Sequence, residues 1–117
     1  MPRFLTMIKL DEQEFTGPPS DDIIAEMTKL LDEMRQSGVL LDDSGLKSTA
    51  ESQRVHLSGG KTTTTDGPFT ETKEMVGGYL MLQAKDREEA VEWARRFLLV
   101  HGDQWNITCE VRELVAG

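Results

Sequence analysis

Nine consecutive residues, Asp66-Gly67-Pro68-Phe69-Thr70-Glu71-Thr72-Lys73-Glu74, bring three carboxylates and one lysine onto a single turn. Gly67 tolerates almost any φ, while Pro68 fixes its own near −65° and turns Gly67 away from helix, so the turn is stiff. A stiff loop can hold polar groups in place for binding or chemistry. Partly buried, Asp66 could take a proton as a general base. Lys73 could bind a carboxylate or stabilise an enolate-like charge, oriented by Glu71 and Glu74. Gly67, Pro68, Phe69, Glu71 and Tyr79 would then form the substrate wall. The same residues also fit a structural role. Asp66 can close its own turn by an Asx-type hydrogen bond, Lys73 can pair with Glu71 or Glu74 at the surface, and Phe69 can plug the core.

His56 is the remaining acid–base candidate, on a hairpin strand; His101 closes a helix, where a positive charge is favoured. Either residue also fits a structural or solvated position. No paired His or Cys spacing suggests zinc, and no calcium loop is present, so neither a metal nor a cofactor is expected. Ser58-Gly59-Gly60-Lys61 is a hairpin turn rather than a phosphate loop, because it lacks the strand-loop-helix context. The single cysteine, Cys109, sits in a strand-like run and reads as a small buried hydrophobe.

Several elements must position these groups. A first strand spans Arg3 to Leu10, with Phe4, Ile8 and Leu10 on one face and Leu5 and Met7 on the other. Ser20 caps a helix whose Ile23, Met27, Leu30, Leu31 and Met34 make one apolar stripe, ended by Gly38. Val39 to Leu41 is a short strand or helix exit, and Asp42 to Ser52 reads as polar turns anchored by Leu46. Arg54 to Leu57 and Lys61 to Thr65 flank Gly59-Gly60 as a hairpin. Thr70 to Met75 reads as a short helical turn. Val76 to Gln83 is a second strong strand, opened by Gly77-Gly78, which permits a bulge or a close backbone approach. Asp86 starts a second helix through a capping-box pattern and Asn106 to Glu113 is the last strand.

This order matches the split βαβ plan: an α+β, ferredoxin-like βαββαβ fold over 1–117 as a single domain. Two helices would cover one face of an antiparallel sheet. Leu5, Met7, Leu80 and Leu82 are expected on the bare face, and a second copy is its natural cover. Sheet-to-sheet packing would give a homodimer built as a dimeric α+β barrel.

A chain of 117 residues can bury roughly two-thirds of its unfolded surface. The net charge of −8 argues against nucleic acid as a partner, since phosphate binding needs clustered Lys and Arg. An anionic small molecule needs only one local cation. No apolar run approaches the length of a membrane span, and the N-terminus lacks a signal-type apolar region. A cytoplasmic location is the expectation.

The chain also resembles the YCII-related, or DGPF, family of small bacterial proteins. The resemblance rests on Asp66-Gly67-Pro68-Phe69, Glu71-Thr72-Lys73-Glu74 and Gly77-Gly78-Tyr79. It continues through Glu89-Ala90-Val91-Glu92-Trp93-Ala94 and Glu110-Val111-Arg112, with Gly38-Val39-Leu40 and Gly45-Leu46 upstream. It implies a dimeric α+β barrel. The wider fold includes a dehydrochlorinase of aromatic degradation, and muconolactone isomerase has a similar architecture. Some members lie beside extracytoplasmic-function sigma factors, which implies a regulatory link. The resemblance does not assign the histidine of the wider family's His–Asp pair to either His56 or His101, and Glu113 stands where a proline usually follows Glu-Val-Arg. Fold analogy is a weak guide to function. Two readings result. One is a small cofactor-independent enzyme for proton transfer, isomerisation or elimination on a small organic acid. The other is a non-catalytic dimeric module for small-molecule binding or regulation.

Overall fold

The computed structural model describes residues 1–14, 17–71, 74–103 and 105–116. The two most apolar strands, β1 (Arg3–Leu10) and β5 (Met75–Gln83), lie side by side at the centre of a four-stranded sheet. Its order is β2-β5-β1-β6, with β2 at Leu40–Gly45 and β6 at Thr108–Glu113. All three pairings are antiparallel. Helices α1 (Asp21–Gln36) and α2 (Arg87–His101) complete the ferredoxin-like α+β fold. Between β2 and β5 the chain forms a separate ribbon of β3 (Gln53–Ser58) and β4 (Lys61–Asp66).

Local chemistry sets the element ends. Ser20 Oγ accepts from the Ile23 amide at 3.3 Å, and Asp86 Oδ1 from the Glu89 amide at 2.9 Å. Each cap satisfies an amide that the first helical turn leaves free. Gly38 follows α1 at φ +81°, the left-handed region where a Cβ is penalised. Arg96 of α2 grips both oxygens of Glu33 on α1, at 2.6 and 2.9 Å, which ties the helices together.

The core lies between helices and sheet. Phe4, Leu80, Leu82, Leu40, Leu30, Met34 and Phe97 are buried there. Burying each large apolar side chain contributes about 1.5–3 kcal/mol. Thr6 is also fully buried, and its hydroxyl has no hydrogen-bond partner among the described residues. Register fixes the faces. Phe4 stands opposite Leu82 and Thr6 opposite Leu80, so these four share the helix side. Leu5 pairs with Met81 and Met7 with Tyr79 on the other side. Leu80 and Leu82 therefore belong to the core rather than the bare face, because strand parity sends them with Phe4. The bare face carries Leu5, Met7, Tyr79 and Met81, all half-buried.

Three further expectations change. Asp42 to Gly45 is strand, not turn; polar residues suit this edge because only one of its flanks is paired. Leu46 is 51% exposed, and it is its backbone amide, bonded to the Gly77 carbonyl, that anchors it. The helical turn expected over 70–75 is not formed at its end, where Met75 already pairs with Leu10. At Gly77–Gly78 both expected features occur. The ladder skips from Ile8–Gly78 to Lys9–Val76, leaving Gly77 as the bulge. A Cβ on Gly78 would lie 2.8 Å from the Ser44 carbonyl oxygen.

The molecule measures 47 × 39 × 18 Å with a radius of gyration of 16.0 Å. A compact chain of this length is expected near ~13 Å, and the difference reflects the flat shape and the exposed ribbon. No helix among the described residues is long and apolar enough to cross a membrane.

Candidate functional site

The Asp66-Gly67-Pro68-Phe69 turn leaves the end of β4 and folds back on the segment before β3. Gly67 donates its amide to the Ser52 carbonyl at 2.8 Å, and the Gly67–Pro68 bond is cis. Thr49 in that segment is held from the other side by Glu12, which accepts its amide at 2.9 Å and its hydroxyl at 2.6 Å. The turn thus belongs to a buttress linking three loops.

Asp66 is exposed, and its Oδ1 accepts from Gln53 Nε2 at 2.6 Å. That carboxylate lacks the desolvation that makes a general base. Phe69 is half-buried, with the Arg54 guanidinium 3.8 Å above its ring, so it packs under a cation instead of plugging the core. Arg54 also donates to Glu71 at 2.8 Å, which holds the Glu71 carboxyl below its ordinary range. Pro68 is exposed beside them. Lys73 lies outside the described residues.

His56 does not join this group. In the ribbon it pairs with Thr63, while Asp66 pairs with Gln53. Gln53 and His56 are three residues apart, so they point to opposite faces, and Asp66 and His56 lie on opposite sides of the ribbon. Tyr79 sits on the bare sheet face and donates its hydroxyl to Asp42 Oδ2 at 2.8 Å. That hydrogen bond is the main cause holding the phenol above its ordinary pKa, so it stays protonated. Cys109 is half-buried against the core, and burial pushes its thiol up to about 11. It behaves as the small hydrophobe expected.

Concave space lies elsewhere. A cavity of about 250 Å³ opens beneath the helices, between Ile8, Leu31, Gly78, Phe97, His101 and Trp105. A second, of about 290 Å³, runs along α1 past Ile23, Ile24 and Met27. The two share Leu31, Phe97 and His101. His101 stacks edge-on against Trp105, with ring centroids 4.9 Å apart, and tilts toward Phe97 at 6.1 Å. Burial lowers its pKa. A third depression of about 230 Å³ is lined by Lys9, Asp11, Glu14 and Glu74, but Lys9 is already bonded to Glu110 at 2.8 Å. Asp66 lines none of these spaces.

With this geometry in view, the family can be stated. The sequence profile of the YCII-related domain matches residues 3–113, from the first residue of β1 to the last of β6. The chain belongs to the YCII-related family. No curated protein matches it.

In this YCII-related chain, neither histidine is hydrogen-bonded to an aspartate among the described residues. No three His, Cys, Asp or Glu side chains among the described residues converge in a way that could hold a metal. The aromatic wall at the cavity was not found from sequence. Its signal was Phe97, His101 and Trp105 at intervals of four, which continue the inner stripe of α2 past Gly102.

Proposed function

We propose that this YCII-related protein binds a small molecule as a homodimer, with the ligand held between helices and sheet and the Asp66–Phe69 turn serving as a buttress. The carrying observation is the cavity at His101: apolar walls, a few polar groups and depth beneath the helices, as small-molecule sites have. Proton transfer at Asp66 has less support, because that carboxylate is solvated and tied to Gln53. The homodimer reading draws on the bare sheet face. The molecule is only 18 Å thick, about one helix layer on one sheet, so Leu5, Met7 and Met81 have no second layer over them. A net charge of −8 disfavours nucleic acid, and a lone thiol fits a reducing, cytoplasmic compartment.

A thermal-shift screen of neutral aromatics and small acids tests the binding reading, with light scattering for the oligomer. A stabilising compound that is recovered unchanged supports it. Turnover that disappears in Asp66→Asn would replace it with proton transfer. A monomer at tens of micromolar would remove the dimer.

A further inference from the structure

His101 stands between two adjoining cavities. Leu31, Phe97 and His101 are common walls of the two cavities beneath and beside α1. One cavity extends toward Gly45, Gly77 and Gly78; the other extends along Ile23, Ile24 and Met27. Both spaces are mostly apolar. Among the described residues neither wall carries a lysine or arginine, and the one carboxylate, Asp43, already accepts from Arg35 at 2.7 Å. A ligand carboxylate placed here would lose water and gain no cation, which is costly.

The imidazole supplies the one directional contact there. Nδ1 is sealed from solvent without a well-formed hydrogen bond among the described residues. A buried N–H without an acceptor costs about 1–3 kcal/mol, which favours the tautomer with its proton on Nε2. The ring as a whole is half-buried, and Nε2 is not among the sealed, unpaired atoms of the described residues. Trp105 and Phe97 hold the ring plane in place.

We propose that the cavity at His101 binds a neutral apolar molecule carrying one acceptor oxygen, such as an aromatic or alicyclic ketone, positioned by the Nε2–H of His101. The proposal rests on the small-molecule reading above and narrows it to a ligand class. It replaces the expected small organic acid with an uncharged compound, on the charge balance of the walls.

The test uses the full chain and three probes: 1-tetralone, tetralin (the same skeleton without the oxygen) and 1-naphthoate. Tryptophan fluorescence gives affinities, and imidazole 15N NMR follows the chain's two histidines. Tetralone is expected to bind about 3–10-fold tighter than tetralin, the worth of one hydrogen bond, and naphthoate more weakly than tetralone. The His101 Nε2 signal shifts with tetralone while that of His56, exposed on the ribbon, stays put. His101→Phe keeps the ring and erases the preference for the ketone. Leu31→Trp fills the shared wall and weakens tetralone and tetralin alike. The proposal is overturned if tetralone leaves His101 unmoved at millimolar concentration, or if tetralin binds wild type as tightly as tetralone. Tightest binding by naphthoate, with His101 shifting, would overturn the ligand class but leave the small-molecule reading standing. The wild-type NMR titration decides the matter even if a variant fails to fold.

Discussion

Gly67 packs directly on the backbone of Thr49: an added Cβ would collide with that residue's carbonyl oxygen and carbon. The contact explains the glycine in the Asp66–Phe69 turn without any chemistry. The turn closes on a loop that Glu12 holds from behind.

Gly67→Ala should therefore cost about 2–3 kcal/mol, because backbone on both sides of the clash must shift. Chemical denaturation measures it. Asp66→Asn keeps the side-chain size and touches only an exposed bond to Gln53, so it should change stability by less than about 0.5 kcal/mol. Comparable losses in the two variants would contradict the buttress role.

Thr6→Val should leave stability unchanged or raise it by about 1 kcal/mol. The hydroxyl is fully buried without a partner among the described residues, and valine has nearly the same shape. Thermal unfolding reads the sign; a clear loss would mean that the hydroxyl has a partner after all.

Acid should destabilise the protein in two stages. Burial lowers the folded pKa of His101 below its ordinary 6.5, so the unfolded chain takes up that proton first and stability starts to fall below about pH 6.5. Glu33, Glu71 and Glu110 are lowered below 4.5, chiefly by hydrogen bonds from Arg96, Arg54 and Lys9. Their contributions are present above that value and are lost as pH falls through the lower folded values. Urea midpoints from pH 8 to 3.5 should show both stages. His101→Phe should flatten the upper stage and spare the lower one.

On the dimer reading, a charge at the centre of the bare face should separate the subunits. Leu5 and Met81 are direct neighbours across β1 and β5, so Leu5→Glu with Met81→Glu places two carboxylates together in the interface. Light scattering should give the monomer mass, with unchanged helix content by circular dichroism. A dimer that survives both charges would place its interface elsewhere.

Much of the architecture was legible in the residues. Ser20 and Asp86 announced both helix starts, because a side-chain acceptor just before an apolar stripe has one obvious use. Gly59-Gly60 announced the ribbon, and both glycines do adopt positive φ, at 59° and 78°. The strand at Asp42–Gly45 was not legible. An edge strand can be polar, and its evidence is the pairing with β5, a contact made across more than thirty residues of sequence.

The sequence alone determined both helices, the two central strands, the hairpin and the family, since caps, glycines and apolar spacing act over a few residues. Tertiary structure decided which groups share a site. Asp66 and His56 lie ten residues apart yet face opposite sides of a ribbon, through strand parity and register. Leu31 of α1 and Phe97 and His101 of α2 meet at both cavities because both helices pack on the same face of the sheet. Local propensity has no information about that meeting; only the burial of both apolar stripes against one surface brings it about.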